Sequence, residues 1–298
     1  MNPLGRSGVQ VSALSLGTMN FGADWHGIGA IDDKAASSLI DLALERGVTL
    51  LDTADIYGRG AAEEMLGRLL KGRRKKLLLA TKVLGQMDLS DRASGGLSAR
   101  WIKRALDGSL KRMKTDHVDL YMPHGWDFEV PLEESLAALE AAVKAGKVRV
   151  LGCSNFSGEQ FAAAGGRFHF NQVQYSLVAR FAENDQAPDT SLVAWSPLAG
   201  GLLSGKGAKG RRAAADAFPY VAPERGAAVV EVLRRVAALE GSTCAQAALG
   251  WVLSKPFVAS ATLGARTAAQ LTELLDAKSL SPRAAALLDR ASEICSRP

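Results

Sequence analysis

Residues 49–82 read TLLDTADIYGRGAAEEMLGRLLKGRRKKLLLATK and set out one strand–helix–strand pattern. Two short apolar runs, Thr49–Asp52 and Leu77–Lys82, flank an amphipathic stretch, Ala61–Leu70. The centre of each run is continuously apolar, which is typical of parallel strands that helices cover on the outside. The stretch therefore predicts a β-α-β unit with a charged residue at the end of each strand.

The same pattern recurs along the chain. Strands are predicted at Leu14–Gly17, Thr49–Asp52, Leu77–Lys82, Val118–Met122, Val148–Ser154, Phe170–Tyr175, Leu192–Ser196 and Val258–Leu263. Helices are predicted at Asp33–Glu45, Ala61–Leu70, Ser98–Lys111, Leu132–Lys144, Gly158–Ala164, Glu231–Leu253, Thr267–Ala277 and Pro282–Cys295. Eight alternating units predict an α/β fold, a (β/α)8 TIM barrel, here with an N-terminal β-hairpin and an extra C-terminal helix.

A doubly wound open sheet is the alternative architecture. That fold places a glycine-rich GxGxxG turn directly after its first strand, whereas residues 17–22 here read GTMNFG. A length of 298 residues fits a barrel, so we expect one domain spanning residues 1–298.

Charge and composition favour some partners over others. The formal net charge is +5, and the one dense basic cluster lies at residues 71–76. That cluster fits a nucleic-acid or localisation patch, or a solvated turn before a strand. Because no aromatic side chains are interleaved with its charges, we favour the turn and expect no nucleic-acid partner.

Cysteine usage and hydropathy indicate the cellular setting. The three cysteines show neither a disulfide framework nor zinc-ligand spacing, which suits a reducing cytoplasm, and we expect no metal. Apolar runs are short and interrupted by charge, and the first residues lack an apolar signal segment. We therefore expect a cytoplasmic protein with no membrane partner.

Polar side chains collect at or just after the carboxyl ends of the predicted strands. They are Asp52, Tyr57, Lys82, His124, Ser154, Asn155, Gln174, Trp195 and Ser196. Each has a simple structural explanation taken alone, since a strand-end lysine usually reaches solvent and a lone histidine usually packs in a loop. The carboxyl ends of barrel strands share one face, where active sites lie, so the set as a whole predicts an active site.

Several longer stretches make this pattern specific, and together they resemble the aldo-keto reductase family from about residue 3 to about residue 273. They are LDTADIYG at Leu51–Gly58, ATK at Ala80–Lys82, VDLYMPHGWD at Val118–Asp127, GKVRVLGCSN at Gly146–Asn155, NQVQYS at Asn171–Ser176 and AWSPLAGGL at Ala194–Leu202. PLGRSG at Pro3–Gly8 and LGTM at Leu16–Met19 match as well.

The resemblance implies an NADPH-dependent enzyme that reduces a small-molecule aldehyde or ketone to an alcohol. In this interpretation Tyr57 is the proton donor, while Asp52, Lys82 and His124 tune or position it. The chemistry suits the residue types: the nicotinamide supplies a hydride and a general acid supplies the proton. An ammonium group beside a tyrosine favours its phenolate form, and a neutral histidine can polarise a carbonyl.

By the same resemblance, a set of side chains and backbone positions holds the cofactor. The expected set is Gly17, Thr18, Met19, Asp52, Ser154, Asn155, Gln174, Trp195, Ser196, Pro197, Leu198, Gly200, Leu202, Lys206, Gly264, Arg266 and Gln270. Trp195 is expected to stack on the nicotinamide, and Arg266 to bind the adenosine 2′-phosphate at a helix N-terminus. Leu274 replaces the family's usual asparagine, which predicts weaker or different recognition of adenine.

Two other functions remain open. One is an NADPH-binding regulatory barrel with little turnover. The other is a lyase or isomerase in which Lys82 forms a Schiff base, chemistry that needs no nicotinamide. The substrate, the direction of reaction and the oligomeric state are not readable from the sequence. Aromatic residues in the loops after the first, fourth and seventh strands suggest an aromatic-lined mouth: Trp25, His26, Trp126, Phe128, Phe218 and Tyr220.

The crossover between the sixth and seventh strands departs from the family. Residues 176–194 are few for a crossover with its own helix, show little apolar periodicity and include Pro188, which would interrupt a helix. We therefore predict that the sixth outer helix is absent or about two turns long, so that either the barrel wall is thinner there or a neighbouring helix or a partner chain covers it.

Overall fold

Residues 1–25, 27–185, 190–205 and 223–293 are described in a computed structural model of the chain. The strands are β1 (Asn2–Pro3), β2 (Gln10–Val11), β3 (Leu14–Gly17), β4 (Leu50–Asp52), β5 (Leu78–Val83), β6 (Val118–Pro123), β7 (Val148–Leu151), β8 (Cys153–Ser154), β9 (Phe170–Gln174), β10 (Ser191–Trp195) and β11 (Val258–Leu263). The first two form an antiparallel hairpin, and the other nine pair in the order β7-β6-β5-β4-β3-β11-β10-β9-β8.

The nine parallel strands form a barrel of eight, because β7 and β8 are the two halves of the predicted fifth strand. β7 pairs with β6 on one side, and β8 pairs with β9 on the other. Gly152 separates the halves at a close approach, since a Cβ atom there would lie 2.3 Å from the Phe170 ring. The predicted (β/α)8 barrel with its N-terminal hairpin is confirmed.

The helices form the outer layer. They are α1 (Asp33–Glu45), α2 (Ala61–Leu69), α3 (Ala99–Met113), α4 (Leu132–Lys144), α5 (Gly158–Ala163), α6 (Pro223–Leu239), α7 (Cys244–Leu253), α8 (Ala268–Leu275) and α9 (Pro282–Ser292). Two of them, α6 and α9, are additional to the barrel repeat and pack against each other. Within the described ranges, no helix combines the length and the apolar character that crossing a membrane requires.

The predicted single helix over Glu231–Leu253 is wrong, because two helices occupy this stretch. Gly241 adopts a left-handed φ of 60° between them. Thr243 then starts α7 with a capping box: its side chain accepts from the Gln246 backbone, and the Gln246 side chain accepts from the Thr243 backbone. A reciprocal cap of this kind satisfies backbone donors at a new helix start, so apolar periodicity alone did not reveal the break.

Two apolar cores flank the strands. Inside the barrel, Leu50, Leu120 and Phe170 pack with Val9 and Val11 of the N-terminal hairpin, which therefore lies against the barrel interior. Between the strands and the helices, a much larger core buries the apolar helix faces. With the interior filled by side chains, a ligand can reach only the loop-lined ends of the strands.

The sixth crossover is short, as predicted. Its described residues contain one 3-10 helix, Phe181–Asp185, while residues 186–189 with Pro188 lie outside the described part. Neighbouring helices help to cover this wall: Tyr175 stacks on Trp251 of α7 with ring centroids 5.4 Å apart. Arg180 donates to the backbone oxygen of Asp289 in α9.

Candidate active site

The predicted catalytic residues meet at the carboxyl ends of the strands. Asp52 is the last residue of β4, Lys82 lies one residue before the end of β5, and His124 directly follows β6. Tyr57 begins a 3-10 helix, Tyr57–Gly60, in the loop after β4. The four side chains therefore lie on adjacent strands at one barrel mouth.

The buried Lys82 ammonium is the centre of this group. Its Nζ donates to both Asp52 carboxylate oxygens at 2.9 Å and to the Thr53 backbone oxygen at 2.8 Å. A fourth contact, of 3.3 Å, runs from Nζ to the Tyr57 hydroxyl oxygen. Because the carboxylate lies on one side and the phenol on the other, Lys82 links the buried acid to the partly exposed Tyr57.

The surroundings of Lys82 keep it charged. Burial by itself lowers the pKa of Lys82, but the charge of Asp52, the charge of the Tyr57 phenolate and hydrogen bonds to both outweigh burial. The pKa of Lys82 is therefore raised above its ordinary value. A permanent ammonium beside the Tyr57 oxygen favours the charged form of that oxygen.

His124 is held neutral beside the same pair. Burial, followed by repulsion from the Lys82 ammonium, lowers the pKa of His124 to about 3. Its ring meets the Tyr57 ring edge-on, with centroids 5.7 Å apart and an interplanar angle of 73°. A neutral imidazole can donate one hydrogen bond to an acceptor that approaches Tyr57.

The predicted nicotinamide-binding residues form a second network next to His124. The Asn155 amide nitrogen donates to the His124 backbone oxygen at 2.9 Å and to the Ser154 hydroxyl at 3.0 Å. The Trp195 indole nitrogen in turn donates to the Asn155 side-chain oxygen at 2.9 Å. Asn155 has a left-handed φ of 58°, and such strain in a non-glycine residue is often found at functional sites.

One partner of the predicted catalytic residues was missed by the sequence analysis. Gln172, buried on β9, donates from its amide nitrogen to the Asp52 carboxylate at 2.9 Å. Gln174, named from the sequence, instead pairs in register with Trp195 at the strand end and is partly buried. Gln172 and Gln174 are two residues apart on one strand, so both belong to the same face of it. The sequence signal that could have identified Gln172 was a polar residue in the middle of a buried strand.

The loop after β3 supports the site through its backbone. Thr18 donates to the Asp52 backbone oxygen from its amide nitrogen at 2.9 Å and from its hydroxyl at 3.1 Å. Thr18 is buried, whereas Gly17 and Met19 on either side are partly exposed. The side chain of Thr18 therefore holds the end of β4, and the predicted cofactor contacts of Gly17, Thr18 and Met19 remain predictions.

The loop after β10 has an unusual run of backbone conformations. Ser196, Ala199, Gly200 and Gly201 all have positive φ, between 48° and 102°. A Cβ atom on Gly201 would meet no atom within 4 Å, so backbone there faces open space. Pro197, Leu198 and Leu202 lie in the same loop, while Lys206 lies outside the described residues.

The predicted phosphate-binding corner lies at the start of α8. Arg266 and Gly264 are exposed, and a Cβ on Gly264 would meet no atom within 4 Å. The Arg266 amide nitrogen donates to the Gln270 side-chain oxygen at 2.9 Å, so Gln270 shapes the turn that presents Arg266. Leu274 is 6% exposed and packs in the core, which leaves it unable to provide the polar contact of the asparagine it replaces.

A buried polar cluster lies behind the catalytic group, between the strands and α2 and α3. Glu63 accepts from the Thr81 hydroxyl at 2.5 Å and from Arg112 at 2.7 Å. Asp55 is completely buried, and neither carboxylate oxygen has a hydrogen-bond partner within the described part of the chain. Burial, and then the charge of Glu63, raises the pKa of Asp55 to about 8, so Asp55 is largely protonated at neutral pH.

The predicted aromatic mouth is only partly described. Trp126 packs edge-on against Phe156, with ring centroids 5.2 Å apart, and Phe128 is 88% exposed. Trp25 lies under the Arg59 guanidinium. The predictions for His26, Phe218 and Tyr220 fall outside the described residues. Across the described ranges, no group of three or more histidine, cysteine or acidic side chains is arranged to hold a metal ion.

Comparison with known proteins agrees with this fold. The model of the aldo/keto reductase family matches residues 13–293. The chain belongs to that family, whose members are oxidoreductases built on this barrel. Membership of one family therefore accounts for both the barrel fold and the ordered motifs at the strand ends.

Individual relatives cover nearly the whole chain. An uncharacterized oxidoreductase, YrpG, from Bacillus subtilis (strain 168) is 39% identical over 93% of this chain and 90% of its own. A probable voltage-gated potassium channel subunit beta from Arabidopsis thaliana is 32% identical, with 94% of this chain and 91% of the relative covered. The solved structure of aldo-keto reductase AKR11C1 from Bacillus halodurans in its holo form has 28% identity and a TM-score of 0.80, covering 97% of this chain and 94% of that one.

Proposed function

We propose that the chain is an NADPH-dependent reductase that converts an aldehyde or ketone to an alcohol, with Tyr57 as the proton donor. The observation that carries the proposal is the position of Lys82 Nζ, 2.9 Å from the Asp52 carboxylate and 3.3 Å from the Tyr57 hydroxyl. The ammonium stabilises negative charge on the Tyr57 oxygen, and the buried carboxylate keeps the ammonium in place. This arrangement makes Tyr57 a stronger acid toward a substrate oxygen.

NADPH, when bound, supplies a hydride to the substrate carbon. The residues of this chain manage the oxygen, which gains negative charge as the carbonyl is reduced. Tyr57 donates its proton to that oxygen, and Lys82 stabilises the phenolate left behind. Neutral His124 donates a hydrogen bond to the same oxygen and orients the carbonyl. A pKa of about 3 keeps His124 neutral at neutral pH.

The residues present fit the cofactor. Ser154 and Asn155 offer the hydroxyl and amide groups that a carboxamide needs, and the Trp195 indole is tied to Asn155 at 2.9 Å beside them. The open backbone at Gly201 suits the close approach of phosphate groups. Arg266, exposed at the helix start, is placed to bind the 2′-phosphate that distinguishes NADPH from NADH.

Two alternatives are less well supported. Relatedness to a probable potassium channel subunit favours a regulatory barrel with little turnover, but the complete set of Asp52, Tyr57, Lys82 and His124 favours catalysis. Schiff-base chemistry needs a neutral amine, whereas the raised pKa of Lys82 keeps it protonated.

Turnover and cofactor binding test the proposal together. We expect the purified protein to oxidise NADPH with at least some members of a panel of aldehydes, ketones and keto-sugars. Tight NADPH binding without turnover on any member would favour the regulatory alternative.

Cofactor preference provides the second test. We expect NADPH to bind more tightly than NADH, and Arg266→Ala to weaken NADPH binding about tenfold or more, because a charge-assisted hydrogen bond contributes roughly 1.5–3 kcal/mol. Arg235→Ala, an exposed arginine on α6, is the control. Equal affinity of the wild-type protein for the two cofactors would contradict the assignment of Arg266.

A further inference from the structure

Arg59 lies on the rim of the barrel mouth, in the turn that carries Tyr57. It is exposed and belongs to the same 3-10 helix, Tyr57–Gly60. Residues two apart in a chain have Cα atoms within about 7 Å of each other, so Arg59 starts close to the proposed proton donor. Its backbone is left-handed, with φ 50° and ψ 50°, a conformation that costs free energy in a residue other than glycine.

The Arg59 guanidinium is anchored across three loops. Nη1 donates to the backbone oxygen of Gln86 at 2.6 Å, in the loop after β5. The guanidinium carbon lies 5.9 Å from the centre of the Trp25 ring, in the loop after β3. Because the Arg59 backbone itself belongs to the loop after β4, three loops hold the guanidinium above the strands that supply Asp52 and Lys82.

Within the described residues, most of the hydrogen-bonding capacity of Arg59 is unused. A guanidinium has five N–H donors, and the acceptors that contact Arg59 there, the backbone oxygens of Gln86 and Met87, bind only Nη1. No carboxylate of the described chain forms a salt bridge with it. The pKa of the nearby Asp88 is lowered chiefly by hydrogen bonds from the Ser90 hydroxyl and amide to its Oδ1, and least by the charge of Arg59.

The geometry points to Arg59 as the binding group for an anionic substituent of the substrate. Nε and Nη2 form a planar fork that matches a carboxylate or a phosphate, and the anchored guanidinium loses little freedom on binding. The inferred substrate class is a small carbonyl compound with a negative charge a few bonds from its carbonyl. The inference rests on the proposed function, because it assumes that the carbonyl is placed at Tyr57.

Matched substrate pairs test the inference. Initial rates are measured with 4-carboxybenzaldehyde against benzaldehyde, and with glyceraldehyde 3-phosphate against glyceraldehyde. We expect wild-type kcat/KM to be about tenfold or more higher for the anionic member of at least one pair. A preference in the first pair alone indicates a carboxylate substrate, and one in the second pair alone indicates a phosphate substrate.

Variants assign the preference to a residue. Arg59→Gln is expected to lose it through a higher KM for the anionic substrate, with the neutral substrate changed less than twofold, and Arg59→Lys to keep part of it. Arg92→Gln removes an exposed arginine from the loop after β5 and is expected to keep the preference. No preference in either pair, or an equal loss in the Arg59→Gln and Arg92→Gln variants, would overturn the inference.

A binding measurement separates this inference from the proposed function. Quenching of tryptophan fluorescence compares 4-carboxybenzyl alcohol with benzyl alcohol in the wild-type protein and in Arg59→Gln. If no carbonyl compound is turned over, the proposed function fails, while tighter binding of the carboxylated alcohol that depends on Arg59 still supports the anion site. Equal binding of the two alcohols, together with equal binding of glycerol 3-phosphate and glycerol, would refute the site.

Discussion

Tyr57 and Tyr175 lie in polar clusters of similar composition. The charged group nearest the phenol, however, has the opposite sign in the two clusters. Lys82 approaches the Tyr57 hydroxyl at 3.3 Å, so the nearest charge is positive. Tyr175 is completely buried, and its hydroxyl donates to the Glu183 carboxylate at 2.5 Å, so the nearest charge is negative. Together with burial, the sign of the neighbouring charge determines how readily a tyrosine releases its proton.

The two clusters also differ in what their ion pairs hold. Asp52 and Lys82 join neighbouring barrel strands below an accessible phenol. Arg180 and Glu183 join the short sixth crossover to α9, with Arg180 donating to the Ser292 hydroxyl at 2.9 Å. Burial, and then the hydrogen bond to Glu183, raises the pKa of Tyr175. In the proposed function the first ion pair supports chemistry, whereas the second supports a wall whose described crossover residues form a 3-10 helix and no α-helix.

Removing the two hydroxyls gives the largest expected contrast. Tyr57→Phe is expected to lower turnover at least ~100-fold, because a positioned acid contributes that much or more, and to leave NADPH affinity within a few fold. Tyr175→Phe is expected to retain wild-type turnover, since its hydroxyl bonds only within the wall. Steady-state rates and cofactor titration check both. A Tyr57→Phe enzyme with more than about a tenth of the wild-type rate would show that another acid is at work.

Breaking the structural ion pair is expected to affect stability and not catalysis. Arg180→Ala leaves Glu183 without its cationic partner and removes a cation 5.3 Å from the Trp251 ring centre. We expect a loss of about 2–3 kcal/mol in the free energy of unfolding, discounted because Glu183 is partly exposed, with kcat unchanged. Urea denaturation measures the loss. In the control Arg235→Ala, an exposed i,i+4 pair is broken and a change below about 0.5 kcal/mol is expected.

The pH dependence of folding stability tests the raised pKa of Asp55, which is buried behind the predicted catalytic residues. Its folded-state pKa of about 8 exceeds its ordinary value of 3.8, so the unfolded chain loses this proton first. Stability from this group is complete below about pH 4 and is lost as pH rises to about 8. We expect the stability of Asp55→Asn relative to the wild-type protein to increase by roughly 4 kcal/mol between pH 5 and pH 8, because each pH unit in this window contributes about 1.36 kcal/mol.

Denaturation at both pH values measures this effect. Asp88→Asn is the matched control, since Asp88 is exposed in the loop after β5 and its pKa is lowered, chiefly by the Ser90 hydroxyl. A stability difference between Asp55→Asn and the wild-type protein that is the same at pH 5 and pH 8 would mean that Asp55 is already ionised in the folded protein.

The sequence by itself determined the order of strands and helices and the residues at the strand ends. These features depend on local patterns: a continuous apolar run for each covered strand and a periodic stretch for each helix. Asp52, Tyr57, Lys82 and His124 could be grouped because parallel barrel strands all present their carboxyl ends on one face. The low apolar periodicity of the sixth crossover could also be read from the sequence, since composition is a local property.

The tertiary structure alone decided which side chains touch. Strand register placed Gln172 against Asp52 and Gln174 beside Trp195. The sequence could not distinguish these two glutamines, because they have equivalent positions on one strand. Helix packing buried Asp55 beside another acid, and loops distant in sequence anchored Arg59. These contacts join segments whose spacing in the chain carries no information about their distance. Apolar patterning predicts elements, whereas the electrostatic partners that set a proton's affinity come from three-dimensional packing.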